Sequence, residues 1–87
     1  ETHSVLAFRD INPRAPTHVL IIPKRHIPTM NDLGPDDTKL MGDLSLAARK
    51  VAEREGVSKN FRTAINCGRD GGQEVFHLHM HLLGWPS

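Results

Sequence analysis

Apolar and polar positions change period along this chain, and each change marks an element. Val5-Leu6-Ala7-Phe8 is a short apolar run that predicts a strand, closed by the turn-forming Arg9-Asp10-Ile11-Asn12-Pro13. Pro13 and Pro16 keep the connection extended, because each disfavours the helical region for the residue before it. His18-Val19-Leu20-Ile21-Ile22 is continuously apolar after its histidine and β-branched, the pattern of a central strand buried on both faces. Pro23 ends it. Residues 24–33 read as loop, polar and broken by Pro28.

The period then becomes helical. Gly34-Pro35-Asp36-Asp37 places proline at a first helical position and carboxylates in the first turn, where the helix dipole favours them. Leu40, Met41, Leu44, Ala47, Ala48, Val51 and Ala52 form one apolar stripe, with Lys39, Asp43, Lys50, Glu53 and Arg54 on the other side. Gly56 stands where a left-handed C-terminal cap belongs. The stripe reads as core or subunit contact. Phe61 to Cys67 alternates, with Arg62, Ala64 and Asn66 opposite Phe61, Thr63, Ile65 and Cys67. After the loop Gly68-Arg69-Asp70-Gly71-Gly72-Gln73, a last strand is expected from about Glu74 to Leu83. Strands around one long helix make an α+β domain with a central antiparallel sheet. Residues 1–87 are expected to form that single domain.

Composition narrows the function classes. A net charge of +1 with scattered basic residues gives no concentrated basic face, which argues against a nucleic-acid partner. The single cysteine, Cys67, excludes an internal disulfide and a multi-cysteine zinc site, so a reducing, cytoplasmic setting is expected. It reads as a small core residue. No apolar run reaches the roughly 18 residues of a membrane span, and no secretion signal is visible.

Histidine is the outlier: six in the chain, three of them in five positions. In His77-Leu78-His79-Met80-His81-Leu82 the alternation is strict, so on a strand the imidazoles share one face at roughly 7 Å spacing and the apolar residues share the other. A purely structural strand would use valine or isoleucine there. Two functions remain. Alternate histidines can converge on a metal, or they can act on phosphate, as nucleophile when neutral and as anion holder when protonated. The adjoining Gly68, Gly71 and Gly72 loop, whose backbone N–H groups could cradle an anion, favours phosphate.

Residues 71–83, Gly-Gly-Gln-Glu-Val-Phe-His-Leu-His-Met-His-Leu-Leu, resemble the signature of the histidine triad family. The segments from Leu6 to His18 and from Ile22 to Ile27, and Asn31-Asp32-Leu33, resemble its nucleotide-binding, purine nucleoside phosphoramidase branch, in its bacterial form. The resemblance implies a homodimeric fold that acts on AMP or GMP conjugates without metal or cofactor. It makes His79 the nucleophile on the α-phosphorus, with a covalent nucleotidyl-histidine intermediate. It makes His81 the holder of phosphate oxygens, His77 a supporting residue and His18 the fourth active-site histidine, paired with His77. Asn66 falls near phosphate and ribose, Gly72 and Gln73 in the phosphate loop, and Asp10 on the ribose hydroxyls. Ile11 and Leu20 would lie against the base. Glu74 stands where animal members have serine, and a carboxyl there could protonate a departing amine. His3 and His26 read as surface residues without a role. The family's first segment and its basic tail are absent from the given sequence. Other readings with the same residues are a dinucleoside polyphosphate hydrolase or nucleotidyl transferase, and a nucleotide-binding scaffold.

Overall fold

The computed structural model describes residues 4–86, so the expectation for His3 lies outside the described residues. Four strands, β1 (Val5–Arg9), β2 (Thr17–Pro23), β3 (Phe61–Ile65) and β4 (Met80–Gly84), form one antiparallel sheet in the order β1-β2-β4-β3. One long helix, α1 (Thr38–Arg54), lies between β2 and β3 in sequence. It is entered through single 3₁₀ turns at Met30–Asp32 and Pro35–Asp37. This is the α+β architecture that the periodicity predicts.

The helix packs on one face of the sheet. Leu44, Ala48, Val51 and Ala52 of α1 are buried with Val19 and Ile21 of β2 and Met80 and Leu82 of β4. Burying a side chain such as Leu44 or Leu82 completely contributes roughly 1.5–3 kcal/mol, so this layer is the main source of stability. At the end of α1, Gly56 has φ +74°, Gly56 N–H donates to Glu53 O and Val57 N–H to Ala52 O. That pair is the Schellman arrangement expected of the glycine. At the start, Asp37 receives the backbone N–H of Gly34 and an ion pair from Arg25, and both hold its carboxyl below the usual range.

The helix stop fixes Val57, which is completely buried against Gly84 at the end of β4. A Cβ on Gly84 would come within 2.5 Å of Val57 Cγ2 and 2.8 Å of its Cβ. A β-branched side chain cannot turn away from such a contact. Gly84→Ala is therefore expected to cost about 2 kcal/mol and to lower Tm by about 10 °C, read in a thermal melt. A wild-type Tm would show that the sheet end shifts freely.

Two expectations need correction. The strand expected over 74–83 begins only at Met80. The register that pairs Ile21 with Met80 brings Pro23 opposite Leu78, and proline has no N–H for the ladder. Leu78 N–H donates instead to Ile27 O, at 2.6 Å, in the loop after β2. In β2 itself, Val19 and Ile21 are buried under α1, but Leu20 and Ile22 are only half-buried. The sheet face opposite the helix is open there.

Candidate active site

The open face is built by register. Phe8 of β1, Leu20 of β2, His81 of β4 and Ala64 of β3 stand in one row across the sheet. His18 lies two positions before Leu20 on the same face, and Ile22 two positions after it. Two adjoining cavities open on this face and share Asp10, Leu20, Val75 and His79. The larger, about 370 Å³, is walled by Phe8, Ile11, Leu20, Ile22 and Val75, with His77 and His79 at its inner edge. The smaller, about 280 Å³, is polar: Asp10, Asn12, Arg14, His18, Asn66, Gly72, Glu74, His79 and His81 surround it.

Although the segment before Met80 is not in the sheet, its alternation survives. Leu78, Met80 and Leu82 are buried, and His77, His79 and His81 are half-buried on the other side. The rings are not an even row. His79 and His81 have centroids 4.9 Å apart, closer than the strand repeat, whereas the ring of His77 has turned to His26, with centroids 5.2 Å apart. His18 pairs with His81 rather than with His77: Nε2 of His18 lies 2.9 Å from Nδ1 of His81. The reason is the register, which sets His18 and His81 on adjacent strands one step apart diagonally, while His77 lies beyond the end of the ladder.

Hydrogen bonds assign the ring protons, since a carbonyl only accepts and a backbone N–H only donates. Arg14 N–H donates to His18 Nδ1, at 3.2 Å, so neutral His18 carries its proton on Nε2. That N–H donates to His81 Nδ1, which leaves His81 with its own proton on Nε2. His79 Nδ1 donates to the carbonyl of His77 at 2.7 Å, so Nε2 keeps the lone pair. The cluster thus offers one donor nitrogen and one nucleophilic nitrogen side by side. Each is held by a partner behind it.

Burial first, then the charges of His79, His18 and Arg14, pull the pKa of His81 below its ordinary 6.5, against an opposing pull from Asp10. The unfolded chain takes up a proton at this position near pH 6.5, and the folded chain declines it until lower pH. The contribution to stability is therefore present above pH 6.5 and lost as pH falls towards the lowered folded value. Tm measured in steps from pH 7 to pH 5 should fall less steeply for His81→Gln than for the unchanged protein. Parallel slopes would place the acid sensitivity elsewhere.

The glycine loop is not the anion cradle expected. Gly71 N–H and Gln73 N–H donate to Gly68 O, Gly72 N–H to Arg69 O, and Gly68 N–H to Gln73 Oε1, so these amides are spent inside the loop. Gln73 does not reach the cavities. Its side chain is 1% exposed, and its amide nitrogen donates to Pro28 O and Val75 O. It fixes the loop from behind. Gly72 does line the polar cavity, at φ +98°, and a Cβ on it would meet the Asn66 amide at 3.3 Å. Asp10 closes the turn after β1, since Oδ1 accepts Asn12 N–H at 2.8 Å, while Oδ2 stands 3.5 Å from His18 Nε2. Cys67 is half-buried rather than core, and its sulfur lies 3.6 Å from the Asn31 amide.

Asp10, His18 and His81 offer ligand atoms within 4.8 Å of one another, so this trio could hold a metal. A metal would first have to displace the proton that His18 Nε2 shares with His81 Nδ1. Sequence reasoning missed Phe8, Ile22, Val75, Asn12 and Arg14, which line the cavities. Phe8 and Ile22 were within reach, because a period of two puts them on the face of Asp10 and Leu20.

A helix on one face of a four-stranded antiparallel sheet, and a histidine cluster between an apolar and a polar cavity on the other, define a small α+β protein with an imidazole-lined site. Residues 1–86 match the model of the HIT domain family. The chain is 52% identical over 81 residues to the purine nucleoside phosphoramidase of Escherichia coli K12, covering 92% of this chain and 68% of that protein. The crystal structure of a HIT family hydrolase from Legionella pneumophila matches at TM-score 0.95 and 50% identity, over 100% of this chain and 79% of that one. A HIT family hydrolase from Clostridium thermocellum also matches at 0.95, with 49% identity over 98% and 75% of the two chains. The chain belongs to the HIT (histidine triad) family, and it resembles bacterial members.

Proposed function

We propose that this HIT-family enzyme hydrolyses purine nucleoside phosphoramidates and related AMP or GMP conjugates through a nucleotidyl-histidine. The observation that carries this reading is the bond from His79 Nδ1 to the His77 carbonyl, which leaves Nε2 with its lone pair at the junction of both cavities. The apolar cavity suits a flat base: Phe8, Ile11 and Val75 expose large apolar surface there, a feature that marks ligand sites. The polar cavity suits the α-phosphate, and Asp10, which borders both, suits the ribose hydroxyls between them.

In the first step His79 Nε2 forms a bond to the α-phosphorus, and the bond from phosphorus to the leaving nitrogen breaks. The departing nitrogen takes a proton from the Glu74 carboxyl on the cavity wall. His81 Nε2–H and the Asn66 amide stabilise the charge on the phosphate oxygens. In the second step water attacks phosphorus, the phosphorus–His79 bond breaks, and Glu74 takes a proton from the water. The E. coli relative named a purine nucleoside phosphoramidase supports the substrate class. The same reading takes residues 1–87 as one domain that pairs with a second copy, a use for the exposed Leu46 of α1 and Phe61 of β3.

The test supplies an adenosine phosphoramidate and, separately, a diadenosine polyphosphate, and compares kcat/KM. Faster phosphoramidate turnover, with an acid-labile nucleotide adduct on His79 after rapid quenching, is the expected result. Turnover without such an adduct would rule out the covalent route, and preference for the polyphosphate would change the substrate class.

A further inference from the structure

The segment ahead of β4 has no ladder to hold it, yet it carries the His77 carbonyl on which the His79 tautomer depends. The loop after β2 grips it instead. Pro28 O accepts from the Gln73 amide at 2.7 Å, Ile27 O accepts from Leu78 N–H, and Pro23 O lies 2.9 Å from His77 Nε2. A further contact is between two rings: His26 Nδ1 lies 3.2 Å from His77 Nδ1.

We propose that His26 is a positioning residue for the reaction at His79, acting through the ring of His77. This rests on the reading of His79 as the nucleophile. Pro23 O can only accept, so His77 Nε2 carries a proton, and neutral His77 presents a lone pair at Nδ1. His26 Nδ1–H is the donor that meets it. His77 is thereby fixed at both nitrogens, in one tautomer and one ring orientation. Its carbonyl carbon is two bonds from the carbon that bears this ring, so a ring held at both nitrogens restrains the peptide beside it. That peptide holds His79 Nδ1 at 2.7 Å and aims Nε2. His26 is itself exposed and lines neither cavity, so it touches no substrate. Its effect is on alignment, where an error of an ångström costs up to about 100-fold.

The test replaces His26 by Ala, Phe and Asn in the full chain and measures kcat and KM on an adenosine phosphoramidate. Ala and Phe both lack the donor, and each is expected to lower kcat about five- to tenfold, the rate equivalent of one hydrogen bond, with KM changed less than about twofold. Asn presents an amide N–H close to the place of Nδ1–H and should restore most of kcat. Ring nitrogen NMR of His77 should show the Nε2–H tautomer throughout, with Nδ1 at a hydrogen-bonded shift in the unchanged protein and in His26→Asn, and at an unbonded shift in His26→Ala. A kcat at the unchanged level in His26→Ala, with His79→Ala inactive, would overturn the role of His26 and leave the nucleophile intact. Equal loss in all three variants would overturn the hydrogen bond as its cause. Turnover retained in His79→Ala would overturn the underlying reading, and this inference with it.

Discussion

Replacing His79 with alanine is expected to reduce turnover of an adenosine phosphoramidate by at least about 10⁴-fold, some 5.5 kcal/mol of transition-state stabilisation. The size follows from the role. Without Nε2 there is no atom to form the intermediate, and water must attack the phosphorus directly. Binding should change little, since the proposed base cavity is walled by Phe8, Ile11, Leu20, Ile22 and Val75, and the proposed phosphate cavity keeps His81 and Asn66. AMP affinity within about threefold of the unchanged protein, by calorimetry, is the matching expectation. Loss of affinity equal to loss of rate would mean that His79 binds rather than attacks.

The second large effect belongs to a residue outside the cavities. Gln73→Leu keeps the side-chain volume and removes three hydrogen bonds, to Gly68 N–H, Pro28 O and Val75 O. The amide fits only one way round, because Gly68 offers a donor and the two carbonyls only accept. Each of the three groups left without a partner costs roughly 1–3 kcal/mol, so about 3–9 kcal/mol is at risk in a domain whose whole stability is on the order of 5–15 kcal/mol. Part of this loss will be avoided by opening the loop to water, which takes Gly72 and Glu74 out of the polar cavity. A Tm lower by about 10 °C or more and turnover down by about 100-fold are expected, from a thermal melt and a steady-state assay. Normal values of both would contradict the account of the loop as clamped from behind by this amide.

Gln73 also shows where legibility stopped. The family resemblance puts its neighbours Gly72 and Glu74 at the site, and they line the polar cavity. Gln73 was placed there too, but its side chain points inward. A chain pattern gives residue spacing in an irregular loop but no direction, because no fixed period applies there. In the regular elements direction was legible: the α1 stripe, the Gly56 stop and the buried Leu78, Met80 and Leu82 follow from periods of 3.6 and 2. The likeness of the motif to a known family supplied the residue roles, which period alone could not.

His77, His79 and His81 make the division clear. Sequence by itself determined that the three imidazoles lie on the side of the chain opposite the core, because alternation survives even where the ladder fails. It determined the helix, its stop and the α+β class for the same local reasons. Only the tertiary structure decided which partners each ring meets: His81 with His18, His77 with His26 and Pro23, His79 with the His77 carbonyl. Those pairings depend on strand register and on Pro23 ending the ladder beside Leu78, contacts between residues some 50 to 60 positions apart. A ring's tautomer is set by the partner at its other nitrogen, so the chemistry of the cluster was fixed only when the chain closed on itself.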